Sequence, residues 1–311
     1  RPFGRRLRTG EGASMKPSVI TDWNADKAKA FTRETLQFRH KLQHRLMFTD
    51  PALEEVLDRY PRDKLGVFTM GSDPTDWRSW RRGKAGDLSG AELLEAARKG
   101  RIWLNLRAVN EHDRDYADLC DEIFADKARF APHVKTFKRD LGLLISSPNA
   151  QVFYHLDVAL VSLWQLRGTK TVWIYPPRDP FVGQEDLERI VLKETAEQFA
   201  FDPTWDEGAE RIDFEPGMMV TWPQNAPHRI VNSDSLNVSL SVEFMTPQAV
   251  ARANVIYANG KLRRMFGARP GVQQGLHPVA LGKLALARLM KAADRRRAAD
   301  PLAADFQLSR A

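Results

Sequence analysis

The sequence predicts a mainly β protein, a β-sandwich or barrel core wrapped by helices. Three observations carry this. Between residues 141 and 245 the chain is a series of apolar, β-branched and aromatic runs: LGLLISS, QVFYHLDVALVSLW, TKTVWIYPP, GMMVTWP, HRIVN and LNVSLSVEFM. Turn signals punctuate them at SPN, RGT, EPG and NSDS. Helical periodicity marks the chain before and after this block, and strands followed by helices in blocks indicate segregated layers.

In chain order, residues 1–18 are basic with no apolar stretch behind them, which predicts a disordered tail and not a secretory signal. Residues 22–48 read as helix on the spacing of Phe31, Leu36, Phe38, Leu42 and Leu46. A second helix follows over 50–60, with Asp50 as N-cap, Pro51 at the first turn and a stripe of Leu53, Val56, Leu57 and Tyr60. KLGVFTM (64–70) and RIWLNL (101–106) read as strands, separated by a helix over 89–100 with Ser89 as cap and Gly100 as stop. Residues 115–130 are helical. Residues 153–177 read as two strands of a buried hairpin, and 177–213 as an insertion with one helix over 183–199. Beyond Pro247 the chain is helical again and ends Ala- and Arg-rich. The expected organisation is one domain over 19–248 with its barrel core at 141–246, then a helical region over 249–311.

Hydrophobic residues make up 43% and charged residues 28% of the 311 positions, values that support a packed core and exclude wholesale disorder. No apolar run reaches the length of a membrane span. Cys120, alone, excludes internal disulfides and a cysteine-rich zinc site, and is consistent with a cytoplasmic location. The net charge of +7 allows an anionic partner. A nucleic-acid role nevertheless ranks below an enzymatic one, since the arginines near Trp77 and Trp80 and at 295–297 are explained by a packed loop and a solvated helix end.

Chemistry concentrates in a few residues. His155 and Asp157, two apart in a strand, project to one side. Taken alone, such a pair is better explained by a His–Asp hydrogen bond inside a core than by half a metal site. Gly217, Pro223, Asn225, His228 and Asn232 follow the spacing of the second cupin motif, G-x5-P-x-G-x2-H-x3-N, with Asn225 at its middle glycine, where a left-handed backbone tolerates asparagine. In that motif the histidine is a metal ligand. His155, Asp157 and His228 then make a 2-His-1-carboxylate set, which suits non-haem Fe(II) with open positions for cosubstrate and O2. Lys170 shares a strand face with Val172 and Ile174. A buried ammonium there needs an anion, unless the side chain reaches water at the strand edge.

The run HLDVALVSLWQLRGTKTVWIYPP resembles the core of the Jumonji-C oxygenases, and its nearest pattern is that of the asparaginyl hydroxylase acting on hypoxia-inducible factor. The resemblance covers about 141–244. It implies a double-stranded β-helix (jelly-roll, cupin/Jumonji-C) fold, Fe(II) held by His155, Asp157 and His228, and 2-oxoglutarate held by Lys170 at its distal carboxylate. The implied activity is O2-dependent hydroxylation of a protein side chain or small metabolite, or N-demethylation, with no catalytic base on the protein. The family's cosubstrate-binding threonine is here Val152 and its active-site asparagine is Glu243, so Tyr154, Ser239 and Ser241 are candidates for replacement hydrogen bonds. Glu243, Trp164 and Trp222 are candidates for the substrate pocket. The resemblance also implies a homodimer through the C-terminal helices. A cupin metalloenzyme that does not use 2-oxoglutarate, or a non-catalytic binding module, are the alternatives.

Overall fold

A computed structural model describes residues 18–267, 278–294 and 304–309; of the tail expected over 1–18 only Ser18 is among them, and the arginines at 295–297 lie outside them. The chain begins with α1 (Ala25–Ala30), β1 (Leu36–Arg39), two 3-10 turns, α2 (Asp50–Arg59), β2 (Gly66–Thr69), β3 (Arg81–Lys84), α3 (Gly90–Lys99), β4 (Ile102–Leu106) and α4 (Arg114–Phe130). The core strands follow: β5 (Phe137–Ser146), β6 (Gln151–His155), β7 (Leu160–Arg167) and β8 (Lys170–Ile174). After α5 (Gln184–Val191) come β9 (Glu210–Phe214), β10 (Met218–Thr221), β11 (His228–Asn232) and β12 (Asn237–Met245). The chain closes with α6 (Pro247–Phe266), α7 (Pro278–Asp294) and the short β13 (Phe306–Gln307).

The strands form a nine-stranded sheet in the order β1-β10-β7-β12-β5-β4-β2-β3-β13 and a four-stranded sheet in the order β6-β11-β8-β9. The two face each other over an apolar filling that includes Val161, Leu163, Val172, Ile174, Val220, Trp222 and Ile230. The large sheet's other face is covered by α2, α3 and α4 through Leu53, Leu57, Leu93, Leu94, Leu119, Ile123 and Phe124. This is a jelly-roll of the cupin type with helical flanks, mainly β as the sequence predicts. No helix among the described residues is long and apolar enough to cross a membrane.

Local signals hold where nothing distant competes. α3 has its capping box, Ser89 accepting from the Glu92 amide and Glu92 from the Ser89 amide. Four expectations are corrected. The helix expected over 22–48 is only α1; residues 36–39 pair with β10 and bury Phe38, so sheet pairing overrides helical spacing. Asp50 does not cap α2: Thr49 is the N-cap, and the Asp50 carboxylate is drawn to Arg98 and Arg167. The insertion's helix stops at Val191, after which the chain runs along the edge of β6. The stretch 153–177 is not a hairpin, because β7 pairs with β10 and β12 in one sheet while β8 pairs with β11 and β9 in the other. Gly168, at φ +70, makes this crossing, and a Cβ there would sit 2.4 Å from the Leu236 carbonyl oxygen.

Candidate active site

Two irregularities in β6 and its exit aim the polar groups. On β11, Ile230 faces Val152 and His228 faces His155, with a register shift between the two pairs. This bulge turns residues 152 and 155, three apart, to the same interior side. Asp157 lies beyond the strand, in the turn leading to β7, so its approach to His155 comes from the turn and not from strand alternation.

His155, Asp157 and His228 each present a ligand atom within 4.8 Å of the others. The two imidazole rings lie 4.0 Å apart by centroid, and His228 Nε2 is 3.4 Å from Asp157 Oδ2. His155 Nδ1 donates to the Phe153 carbonyl at 2.7 Å and His228 Nδ1 to the Ala226 carbonyl at 3.1 Å. A carbonyl only accepts, so each ring carries its proton on Nδ1 and turns the Nε2 lone pair inward. Burial lowers the pKa of both histidines, the more strongly at His228, where His155 adds to it, and keeps the rings neutral. Burial pushes the Asp157 carboxyl up to about 7. Two neutral imidazoles and a desolvated carboxylate in mutual reach fit a divalent cation, which would supply the missing positive charge.

Deeper between the sheets, Lys170 is 7% exposed and donates from Nζ to Ser239 Oγ at 2.8 Å. Ser239 donates in turn to Gln165 Oε1 at 2.7 Å, and the Gln165 amide is tied to Asn237 and to the Arg167 and Gly168 carbonyls. No carboxylate of the protein pairs with Lys170 among the described residues, and burial lowers its pKa to about 7. Its side chain lines a small pocket with Val152, Leu163, Ser146 and Asn232. The Asn232 amide donates to Ser146 Oγ and the Ser147 carbonyl, both at 2.8 Å.

The remaining sequence candidates divide. Trp222 packs its ring 4.4 Å from that of His228 and borders the triad. Ser241 lies on β12 between Gly142 and Leu163, on the same strand face as Ser239 and Glu243. Burial, then the charge of Asp157, pushes the Glu243 carboxyl up to about 8, and Arg107 reaches it at 3.8 Å. Two candidates are corrected. Tyr154 turns away from the pocket into an aromatic cluster with Tyr175 and Phe201, its hydroxyl donating to the Phe181 carbonyl at 2.8 Å. Trp164 packs on the helix-covered face against His40, its indole N–H bonded to Ser162, because β7 alternates and Leu163 takes the interior side. Sequence reasoning missed Arg107, Asp140 and Glu197, whose charges act on the triad and Glu243 from β4's exit, β5 and the insertion. No local pattern marks them, since they meet only through the fold.

Compared with known proteins, the sequence matches no family model and no curated protein. Solved structures do match. The chain is similar to the X-ray structure of Escherichia coli YcfD, with a TM-score of 0.51 and 17% identity over 88% of this chain and 68% of that one. A structure of YcfD described as a ribosomal oxygenase in complex with cobalt and 2-oxoglutarate gives 0.47 and 18% over 85% and 65%. The non-heme alpha-ketoglutarate-dependent carbocyclase SnoK from nogalamycin biosynthesis gives 0.44 and 12% over 72% and 85%. The chain thus spans about two thirds of YcfD's length. The likeness to the first structure establishes the fold, a jelly-roll shared with YcfD.

Proposed function

We propose that the chain is an Fe(II)- and 2-oxoglutarate-dependent oxygenase that hydroxylates a protein side chain or a small metabolite. The observation that carries the reading is the convergence of His155, Asp157 and His228 in the same barrel that buries an acid-free lysine, Lys170, beside a pocket. When bound, the iron and 2-oxoglutarate supply the oxidant for a substrate C–H bond, with succinate and CO2 as the other products. The protein's own work is positioning and exclusion of water. His155, Asp157 and His228 hold the metal through Nε2 and carboxylate oxygens. Lys170, steadied by Ser239, neutralises the distal carboxylate of the cosubstrate, and Val152 and Leu163 keep its chain in an apolar passage. No side chain is needed to take a proton from carbon. Arg107, which is 70% exposed, reaches the largely buried Glu243 near Asp157, and the two border the site on the substrate's side.

The test is anaerobic titration of the protein with Fe(II) and 2-oxoglutarate, followed by admission of O2. The expected results are a weak visible charge-transfer band and then succinate, both lost in His228→Ala and Asp157→Ala. A metal-dependent product without 2-oxoglutarate consumption selects the cupin enzyme that does not use it. Absence of band and succinate selects the binding module. Formaldehyde release from methylated peptides distinguishes N-demethylation from hydroxylation.

A further inference from the structure

The turn that presents Asp157 carries no strand pairing of its own: residues 156–159 lie between β6 and β7 outside both sheets. Something else must hold it, because a metal ligand on an untethered turn gives up orientation at each binding event. The structure shows what does. The Asn225 side-chain amide donates to the Asp157 carbonyl oxygen at 3.0 Å, and its Oδ1 accepts from Arg252 Nε on α6 at 3.0 Å. The adjacent Gln224 amide donates to the Val158 carbonyl at 2.8 Å and to the Ala249 carbonyl of α6 at 3.1 Å. Gln224 and Asn225 are both buried, at 9% and 2% exposure. They precede His228 in a tight turn closed by the Ala226 amide on the Pro223 carbonyl. Two neighbouring side chains thus pin two consecutive carbonyls of the Asp157 turn onto the first turns of α6, from the same loop that delivers His228.

Asn225 stands at φ +65. Glycine adopts that conformation without a steric cost, so backbone geometry alone gives no reason for a side chain here. The two hydrogen bonds do. From them we infer that Asn225, together with Gln224, is a positioning residue for the metal centre, coupling the Asp157 turn to the His228 loop and to α6. The inference rests on the metal-site reading above.

The experiment compares Asn225→Gly, Asn225→Asp and Asp157→Ala with the unaltered chain, reading Mn(II) affinity by calorimetry and thermal unfolding of the metal-free protein. Asn225→Gly keeps the backbone conformation and loses both hydrogen bonds. The expected result is an affinity for Mn(II) about tenfold weaker, within the ~10–100-fold range for loss of a group that orients a ligand, in a protein that still unfolds cooperatively. Asn225→Asp tolerates the same backbone and keeps an acceptor for Arg252, but it has no N–H for the Asp157 carbonyl. It also adds negative charge beside a cation site, which by itself strengthens metal binding. A weakened affinity in this variant therefore comes from the missing donor. An affinity within twofold of the unaltered chain in Asn225→Gly, with Asp157→Ala unable to bind, overturns the inference and leaves the metal site standing. Equal binding by Asp157→Ala, or no binding by the unaltered chain, overturns both.

Discussion

Replacing Lys170 by methionine tests the cosubstrate end of the site through stability, before any substrate is known. The ammonium is buried, its Nζ meets one hydroxyl and no carboxylate, and its pKa falls from 10.5 to about 7. That displacement is of the order of 5 kcal/mol of folding free energy held in the ligand-free protein. The sign follows from proton binding. Between pH 7 and 10.5 the unfolded chain binds the proton and the folded chain does not, so stability rises with pH across this window. Below about pH 7 both states are protonated and the penalty is at its full value. Lys170→Met keeps an unbranched apolar side chain and removes the penalty. The variant is therefore more stable than the unaltered protein at pH 6, and the gap narrows by roughly 3 kcal/mol by pH 9. With Mn(II) present, 2-oxoglutarate places a carboxylate against Lys170, raises its pKa again and stabilises the unaltered protein far more than the variant. Urea unfolding at pH 6, 7.5 and 9, with and without 2-oxoglutarate, measures both effects. A stability difference that does not change with pH, or equal protection of both proteins by 2-oxoglutarate, refutes the reasoning.

Lys127 provides the matching control. Its Nζ donates to Ser162 Oγ at 3.0 Å and sits 4.8 and 4.5 Å from the centroids of Phe124 and Phe244, and burial lowers its pKa to about 7. Lys127→Met removes a similar pH dependence of stability, but protection by 2-oxoglutarate is unchanged; loss of that protection contradicts the placement of Lys127 on the outer face of the large sheet. Gly168→Ala puts a Cβ at φ +70 and 2.4 Å from the Leu236 carbonyl oxygen, at the crossing between sheets. It destabilises by about 1–3 kcal/mol, seen as a lower urea midpoint with unchanged slope; an unchanged midpoint refutes the assigned strain.

The strand run from 141 to 245, the Ser89 cap of α3 and the identity of the chemical groups are legible in the sequence. Each of these depends on neighbours within a few residues: alternation, turn residues, and the fixed spacing from Gly217 to Asn232. Lys170 stands out for the same reason, as a charge on a face otherwise apolar. Which sheet a strand joins is not a local property. The spacing around Phe31 and Phe38 fits a helix, yet pairing with β10 makes residues 36–39 an edge strand. β7 and β8 look like a hairpin until each finds its partners in a different sheet. Tyr154 and Trp164 are large and near the motif in sequence, but they point away from the pocket, because alternation and one bulge decide the side on which each residue emerges. Arg107, Asp140 and Glu197 lie far apart along the chain and become one electrostatic group only when β4, β5 and the insertion meet. The sequence by itself determined which groups are available and that the core is β. Tertiary structure decided which of them face the same cavity, since facing depends on register and sheet closure, which are set by contacts distant in the chain.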